Sequence, residues 1–298
     1  MCAGACPGQD GRMPEMPEVE GLVGFLHERT VGLELTQARL AQIAALKTFD
    51  PRLDQLVGSV VTDVARHSKF VAIALGDLQL VFHLAKAGWL RWHEALPATV
   101  IKPGRSPIAL RIGFGDGSGF DLTEAGTKKS LAVYVVRDPA DVPGIARLGP
   151  DPLDESFTRD TLAGLLEGRR SQIKGVLRDQ QIVAGIGNAY SDEILHAARM
   201  SPYALAANLD AGDVDRLYEA LRATLTSAVQ TARGRPPAEL KDAKRRGMSV
   251  HARAGEACPV CGDTVRSVFL ADRSFEYCPT CQTGGKVLAD RRLSRLLK

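Results

Sequence analysis

No apolar run in the 298-residue sequence approaches the ~20 residues that a membrane-spanning helix needs. The first dozen residues, MCAGACPGQDGR, also lack the basic-then-apolar layout of a secretory signal. Together these absences exclude an integral helical membrane protein and make a cytoplasmic one the expectation. There is no internal repeat, which excludes a solenoid or an array. Net charge is also scarce, at +3 for the whole chain, but it is unevenly spread. Residues 241–298 hold 12 Lys/Arg against 6 Asp/Glu, so the excess of positive charge lies at the C-terminal end. A basic end on a near-neutral body suggests an anionic partner there, nucleic acid first among them. Cysteine is limited to six residues in two groups, with Cys2 and Cys6 in the leader and four in a tight C-terminal pattern.

That C-terminal pattern is the strongest local motif. Cys258-Pro259-Val260-Cys261 and Cys278-Pro279-Thr280-Cys281 are two C-x2-C knuckles separated by 16 residues. In a cytosolic chain such spacing reads as metal binding before disulfides. Four thiolates can close a tetrahedral site around one structural zinc ion and staple a segment too short to fold on its own core. Four Cys ligands leave no open position on the metal, so catalysis must come from elsewhere. Thr264–Leu270 and Ser274–Tyr277 read as strands between the knuckles, with Arg273 at the hairpin tip.

The expected organisation is α+β. Residues 1–12 form a leader that looks disordered. A short helix is expected near 21–28, followed by short alternating strands at Ser59–Arg66, Phe70–Leu75, Leu78–Leu84, Trp89–Trp92, Ile108–Phe114, Gly119–Leu122 and Leu131–Val136. This spacing predicts a β-sandwich or barrel over residues 13–148. After the Pro/Gly-rich Leu148–Pro152, helical periodicity takes over at Arg159–Glu167, Ser171–Arg178, Ala189–Arg199 and Ala211–Thr231, giving a helical domain over 149–255. Residues 234–255 read as a flexible loop. The zinc finger occupies 256–283. A tail over 284–298 carries Leu288, Leu293, Leu296 and Leu297 with Arg291, Arg292 and Arg295, a pattern able to form a basic amphipathic helix.

Near the start, Met13-Pro14-Glu15-Met16-Pro17-Glu18-Val19-Glu20-Gly21 is poor in apolar residues and rich in carboxylates. If translation begins at Met13 and that Met is removed, Pro14 carries a free secondary amine with Glu15 beside it, a nucleophile with an acid/base neighbour. If Met1 is the start and the chain is uncut, the Pro14 nitrogen is an inert amide.

Three stretches in order, MPEMPEVEG, Ile173-Lys174 through Gly187-Asn188-Ala189-Tyr190, and the four-Cys hairpin with Arg273, resemble the formamidopyrimidine-DNA glycosylase / endonuclease VIII family. The resemblance spans residues 13 to about 283. It implies a β-sandwich and a helix–two-turn–helix domain that clamp double-stranded DNA carrying a damaged base or an abasic site, the base being flipped out for the chemistry. It further implies a monomeric base-excision-repair enzyme, a DNA N-glycosylase with abasic-site lyase activity. By this resemblance Pro14 is the nucleophile that attacks C1′ and forms a Schiff base, and Glu15 is the adjacent acid/base group. Lys69 matches the hairpin lysine that assists proton transfer and contacts phosphate, and Arg273 the zinc-hairpin arginine linked to elimination. Asn188 matches the phosphate-binding asparagine, and Lys174, Arg169 and Arg170 match a basic cluster around it.

The resemblance breaks at the positions that read the lesion. Purine-excising members insert a Met from one loop and an Arg and a Phe from another. Here Lys86 stands at the expected Met, and Thr123–Ser130 contains no aromatic, offering Lys128 and Lys129 instead. Lysines can bind phosphate but cannot wedge base pairs apart as an apolar ring does. The segment before Cys258 also looks shorter than the one that closes over an oxidised purine. The alternative expectation is therefore a non-catalytic damaged-DNA-binding protein of the same fold.

Overall fold

Alternating apolar positions fold the N-terminal half into two four-stranded antiparallel sheets, as traced in the computed structural model, which describes residues 13–101, 106–125, 129–270 and 273–289. One sheet runs in the order β1 (Leu35–Leu40), β6 (Ile108–Phe114), β7 (Gly119–Glu124), β5 (Gly88–His93). The other runs β2 (Val61–His67), β3 (Phe70–Leu75), β4 (Leu78–His83), β8 (Ala132–Val136). Their inner faces share one core, with Leu110, Ile112, Phe120 and Leu122 from the first sheet against Val71, Ile73, Leu80, Phe82 and Val135 from the second. The expected β-sandwich is thus present. Ala72, Val81 and Val136 on the outer face of the second sheet are covered by Val142, so β3 and β4 are buried on both sides.

Two elements depart from the sequence expectation. Helix α1 spans Met16–Thr30, starting five residues before Gly21. Glu15 caps it and Pro17 sits in its first turn, where a missing N–H costs nothing. The supposed loop after residue 234 contains a helix, α6 (Pro237–Gly247). Its composition is polar, but Pro237 opens it, Glu239 lies in the first turn and Lys244, Arg245 and Arg246 lie in the last, all favourable to the helix dipole.

The chain divides into two compact units. One holds Arg12–Leu148 with Val229–Ala243, and the other holds Gly149–Ala228 with Lys244–Lys298. In the first, Ala232 and Leu240 complete the sandwich core against α1, and Gly21 leaves room for the Ala232 backbone, since a Cβ there would lie 2.9 Å from its oxygen. In the second, α2 (Arg159–Leu166), α3 (Ile173–Arg178), α4 (Asn188–Ala197) and most of α5 (Ala211–Ala232) join the hairpin β9 (Arg266–Leu270) and β10 (Arg273–Tyr277) and the short α7 (Pro279–Thr283). Leu288 packs on Val268, Phe275 and Tyr277 and donates its N–H to the Tyr277 hydroxyl at 2.7 Å, so the start of the tail covers the hairpin. Leu293, Leu296, Leu297, Arg291, Arg292 and Arg295 lie outside the described residues, as do residues 1–12.

The turn after β4 is closed by Gly88 N–H donating to the Leu84 carbonyl at 2.8 Å. A Cβ on Gly88 would lie 2.1 Å from that oxygen. Gly88→Ala should therefore destabilise the first unit by about 1–3 kcal/mol through forced backbone displacement, read as a lowered midpoint in urea with unchanged slope.

Candidate functional site

The backbone amide of Glu15 donates to Glu18 Oε2 at 2.8 Å, while the Glu15 carboxylate accepts from the Glu18 amide, a reciprocal cap at the start of α1. Pro14, Glu15 and Glu18 are all buried. The stretch that reads as a poor core strand is thus a rigid lead into a helix, with Pro14 held one residue before the cap. Four residues past the helix start, Glu20 accepts from Arg66 Nε at 2.5 Å, and Arg66 Nη1 also donates to the Ser68 carbonyl at 3.3 Å. Arg66 so ties the β2–β3 turn, where Ser68 has a φ of 59° and Lys69 follows, to the helix that carries Glu15.

Strand register brings the other lysines to the same end of the sandwich. Phe70 pairs with His83 and His83 with Ala132, so Lys69, the turn after His83 and the loop before Ala132 all emerge from one edge. In the facing sheet Gly88 pairs with Glu124, which begins the same two connections. Lys69, Lys86 and Lys129 therefore share one end of the unit, and Lys128 lies outside the described residues. Glu124, itself buried, closes the base of the loop by accepting the amides of Ser130 at 2.7 Å and Leu131 at 3.0 Å. Lys129 Nζ folds back to the Glu124 carbonyl at 2.6 Å. Burial, reinforced by the charge of Lys69, lowers the His83 pKa to about 4. Its neutral ring accepts the Ala85 N–H on Nδ1 at 3.1 Å, fixing the turn that exposes Lys86.

In the second unit, Gln180 organises the connection between α3 and α4. Its amide donates to the Ile186 carbonyl at 2.7 Å and accepts the Gly185 N–H at 2.9 Å, and Gly185 takes a φ of +86°. Gly187 is the cap of α4 and Asn188 its first helical residue. Asn188 Nδ2 donates to the Ser274 carbonyl at 3.1 Å, next to Arg273 in β10. Arg273 opens that strand opposite Leu270, and its side chain lies outside what is described. Arg169 and Arg170 are exposed.

Lys174 is different. It does not join Arg169 and Arg170 on the surface but is fully buried, ion-paired with Asp192 and 4.5 Å above the ring of Phe275. Burial lowers its pKa, and the Asp192 carboxylate opposes that shift. Lys174 thus lies apart from the exposed Arg169 and Arg170 with which its sequence position groups it, because an amphipathic stem with a buried carboxylate within reach is drawn inward.

The four cysteines converge as their spacing predicts. All four Sγ atoms lie within 4.8 Å of one another, with Cys258–Cys281 at 3.9 Å and Cys261–Cys278 at 3.3 Å. A tetrahedron of thiolates around zinc has edges of about 3.8 Å, so the donor set and its size fit one structural ion. His196 Nε2 lies 3.3 Å from Cys258 Sγ, a supporting contact from α4. Sequence reasoning missed His196, together with Glu193, whose carboxylate accepts the amides of Ser249, Val250 and His251 at 2.7, 2.9 and 2.8 Å. It also missed Asp192, His251 and Glu276. Asp192 and Glu193 could have drawn attention as acidic residues one turn past Asn188, but nothing in the sequence points to their partners.

A sandwich whose lysine-bearing turns share one end, a helix–two-turn–helix unit and a four-thiolate hairpin define the architecture of a nucleic-acid enzyme with a structural zinc. Three family models match in chain order: the formamidopyrimidine-DNA glycosylase N-terminal domain over residues 13–125, the H2TH domain of the same enzymes over 148–236, and a zinc finger found in FPG and IleRS over 255–284. A formamidopyrimidine-DNA glycosylase of Symbiobacterium thermophilum is 34% identical over 293 residues, covering 94% of this chain and 93% of that one. An uncharacterized formamidopyrimidine-DNA glycosylase-like protein of Mycobacterium tuberculosis is 58% identical over 159 residues, 53% of this chain and 99% of its own length. Among solved structures, MutM (Fpg) from Thermus thermophilus superposes with a TM-score of 0.76 at 28% identity, covering 92% of this chain and all of that one. The Lactococcus lactis Fpg in complex with DNA containing an abasic site gives 0.80 at 24% identity, covering 91% of this chain and all of that one, a likeness of fold. The chain belongs to the formamidopyrimidine-DNA glycosylase family.

His196→Ala should weaken zinc retention by about 10-fold without removing a thiolate, measured as zinc released to a colorimetric chelator at fixed protein concentration.

Proposed function

We propose that this chain is a bifunctional DNA glycosylase and abasic-site lyase of base excision repair, acting as a monomer in the cytoplasm on double-stranded DNA with a damaged base or an abasic site. The observation that carries the reading is the lead into α1. Pro14 is held rigidly beside Glu15, on a helix that Arg66 links to the turn bearing Lys69. Among the described residues no helix is long and apolar enough to cross a membrane.

When Pro14 is the first residue its nitrogen is a secondary amine, and a chain-terminal amine titrates at about 7.7–8.0, far better suited to neutral pH than a lysine at about 10.4. The lone pair forms a bond to C1′ of the deoxyribose. The glycosidic bond breaks, and the base leaves with the electron pair and takes up a proton. Nitrogen gives up its proton, the C1′–O4′ bond breaks and O4′ takes up a proton, opening the sugar to an iminium. This acidifies C2′, whose proton is removed as the 3′ phosphate departs, and a second elimination releases the 5′ phosphate. Glu15 serves as the proton carrier next to the amine, and Lys69 assists proton transfer and holds a phosphate. In the second unit Asn188 and Arg273 bind phosphate, Arg169 and Arg170 add positive charge, and α4 presents its N-terminus to the anion. Lys128 and Lys129 contact the backbone. Zinc holds the hairpin and takes no part in the chemistry.

Lys86, exposed on the Ala85–Ala87 turn, supports a second reading. With a lysine there and no aromatic in residues 123–130, base extrusion is weakly supported, and a damaged-DNA-binding protein without excision would keep every other feature. Borohydride trapping on abasic duplex separates the two. A protein with a verified Pro14 terminus should form a covalent adduct, and Pro14→Gly should reduce its rate by roughly 100-fold or more. Binding without adduct or nicking across a lesion panel would favour the second reading. Affinity should fall with salt at a slope of about −0.9 for each phosphate contacted, and a flat response would remove the role given to the basic residues.

A further inference from the structure

Four ionisable side chains from four separate segments meet in the interior of the second unit: Lys174 of α3, Asp192 of α4, His251 after α6 and Glu276 of β10. None is more than 7% exposed. Asp192 takes Lys174 on Oδ1, and its Oδ2 lies 2.8 Å from His251 Nδ1. The same ring nitrogen lies 3.1 Å from Glu276 Oε2, while Glu276 Oε1 accepts from the Ser267 hydroxyl across the hairpin at 3.3 Å. His251 Nε2 has no hydrogen-bond partner among the described residues, so the ring is held through Nδ1 alone, facing both carboxylates. Its backbone is pinned separately, by the N–H it gives to Glu193 on α4.

Three of these groups also have the donor types of a cation site. Charge decides against it. A divalent ion between two carboxylates, with a neutral imidazole and the Lys174 ammonium beside them, leaves a net positive charge in the interior. A protonated His251 leaves none, and a buried cluster is tolerated only when its charges cancel. Burial pushes the His251 pKa down, but Asp192 and Glu276 more than offset it and raise it to about 9, so the ring is cationic at neutral pH.

We propose that His251 and Glu276 are positioning residues whose buried ion pair locks β10 to α4 and so fixes the spacing between Asn188 and Arg273. Glu276 lies three residues beyond Arg273 in the same strand, and a one-residue slip of a strand turns every side chain to the opposite face. Holding Glu276 against α4 therefore sets the register of β10, and with it the position of Arg273 in that strand. The Asn188 Nδ2 bond to the Ser274 carbonyl gives a second tie between the same two elements, at the Arg273 end. The inference rests on the reading of Asn188 and Arg273 as phosphate ligands.

The test uses the full zinc-loaded chain and a duplex carrying a tetrahydrofuran abasic analogue. His251→Gln leaves one buried carboxylate without its cation and should weaken binding about tenfold. Glu276→Gln should weaken it less, because the imidazole can shed its proton. The double variant restores neutrality and should recover to within about threefold of the parent. On cleavable abasic DNA the loss should fall on the half-saturating DNA concentration rather than on the trapping rate at saturation. Additive losses in the double variant, parental affinity in both single variants, or two zinc ions per chain would each overturn the proposal. If the single variants fail to fold or to hold zinc, the double variant must still do both, and its failure would also overturn it. A parent protein that binds no DNA would remove the phosphate-ligand reading and this inference with it, whereas a parent that binds beside equally competent variants would sink the inference alone.

Discussion

A carboxylate withdrawn from water must be compensated, and in this chain four buried glutamates are compensated by backbone amides. Glu15 and Glu18 exchange amides at the start of α1. Glu124 collects those of Ser130 and Leu131. Glu193 collects those of Ser249, Val250 and His251. Each acceptor fixes a segment that would otherwise be an unconstrained connection: the lead from Pro14 into α1, the end of the loop before β8, and the approach to the zinc knuckles. Removing such a carboxylate strands several donors at once, so these contacts matter more to the placement of functional groups than a typical surface ion pair would.

The two units solve different problems. The sandwich uses antiparallel register to bring turns that are distant in sequence to one end, at no cost beyond forming the sheets. The second unit has little sheet and instead relies on a metal and a charged cluster. Its hairpin has only two strands, which are marginal in water alone. The thiolate cage secures one end of that hairpin, and the contacts from α4 secure its length. Helix α4 serves both, through His196 beside Cys258 and through Asn188, Asp192 and Glu193 toward the hairpin and the segment before it.

Much of this was legible in the residues, and the exceptions have physical causes. Strands β2 to β8 announce themselves because each puts alternate apolar residues into a shared core. Strand β1, Leu-Thr-Gln-Ala-Arg-Leu, is overlooked because only Leu35 is fully buried and the rest face partly outward. Helix α6 is hidden by composition, since its buried residues are few and its charges read as loop. Local motifs locate the four cysteines, because their chemistry depends on near neighbours in sequence, and they single out Pro14, Glu15 and Asn188 for the roles proposed. The ion pair of Lys174 with Asp192 and the cluster around His251 and Glu276 are not legible in the sequence because their partners lie 18 to 59 residues away, and spacing alone carries no information about such pairings.

The closed base of the 125–130 loop has an evolutionary consequence. Glu124 accepts the amides of Ser130 and Leu131, so the chain's return into β8 is anchored from the end of β7 within the sandwich itself. A loop anchored in this way tolerates exchange, lengthening or shortening without disturbing the sheets. Related chains can thus differ at that end of the sandwich while sharing the same core, because variation there is absorbed outside the sheets.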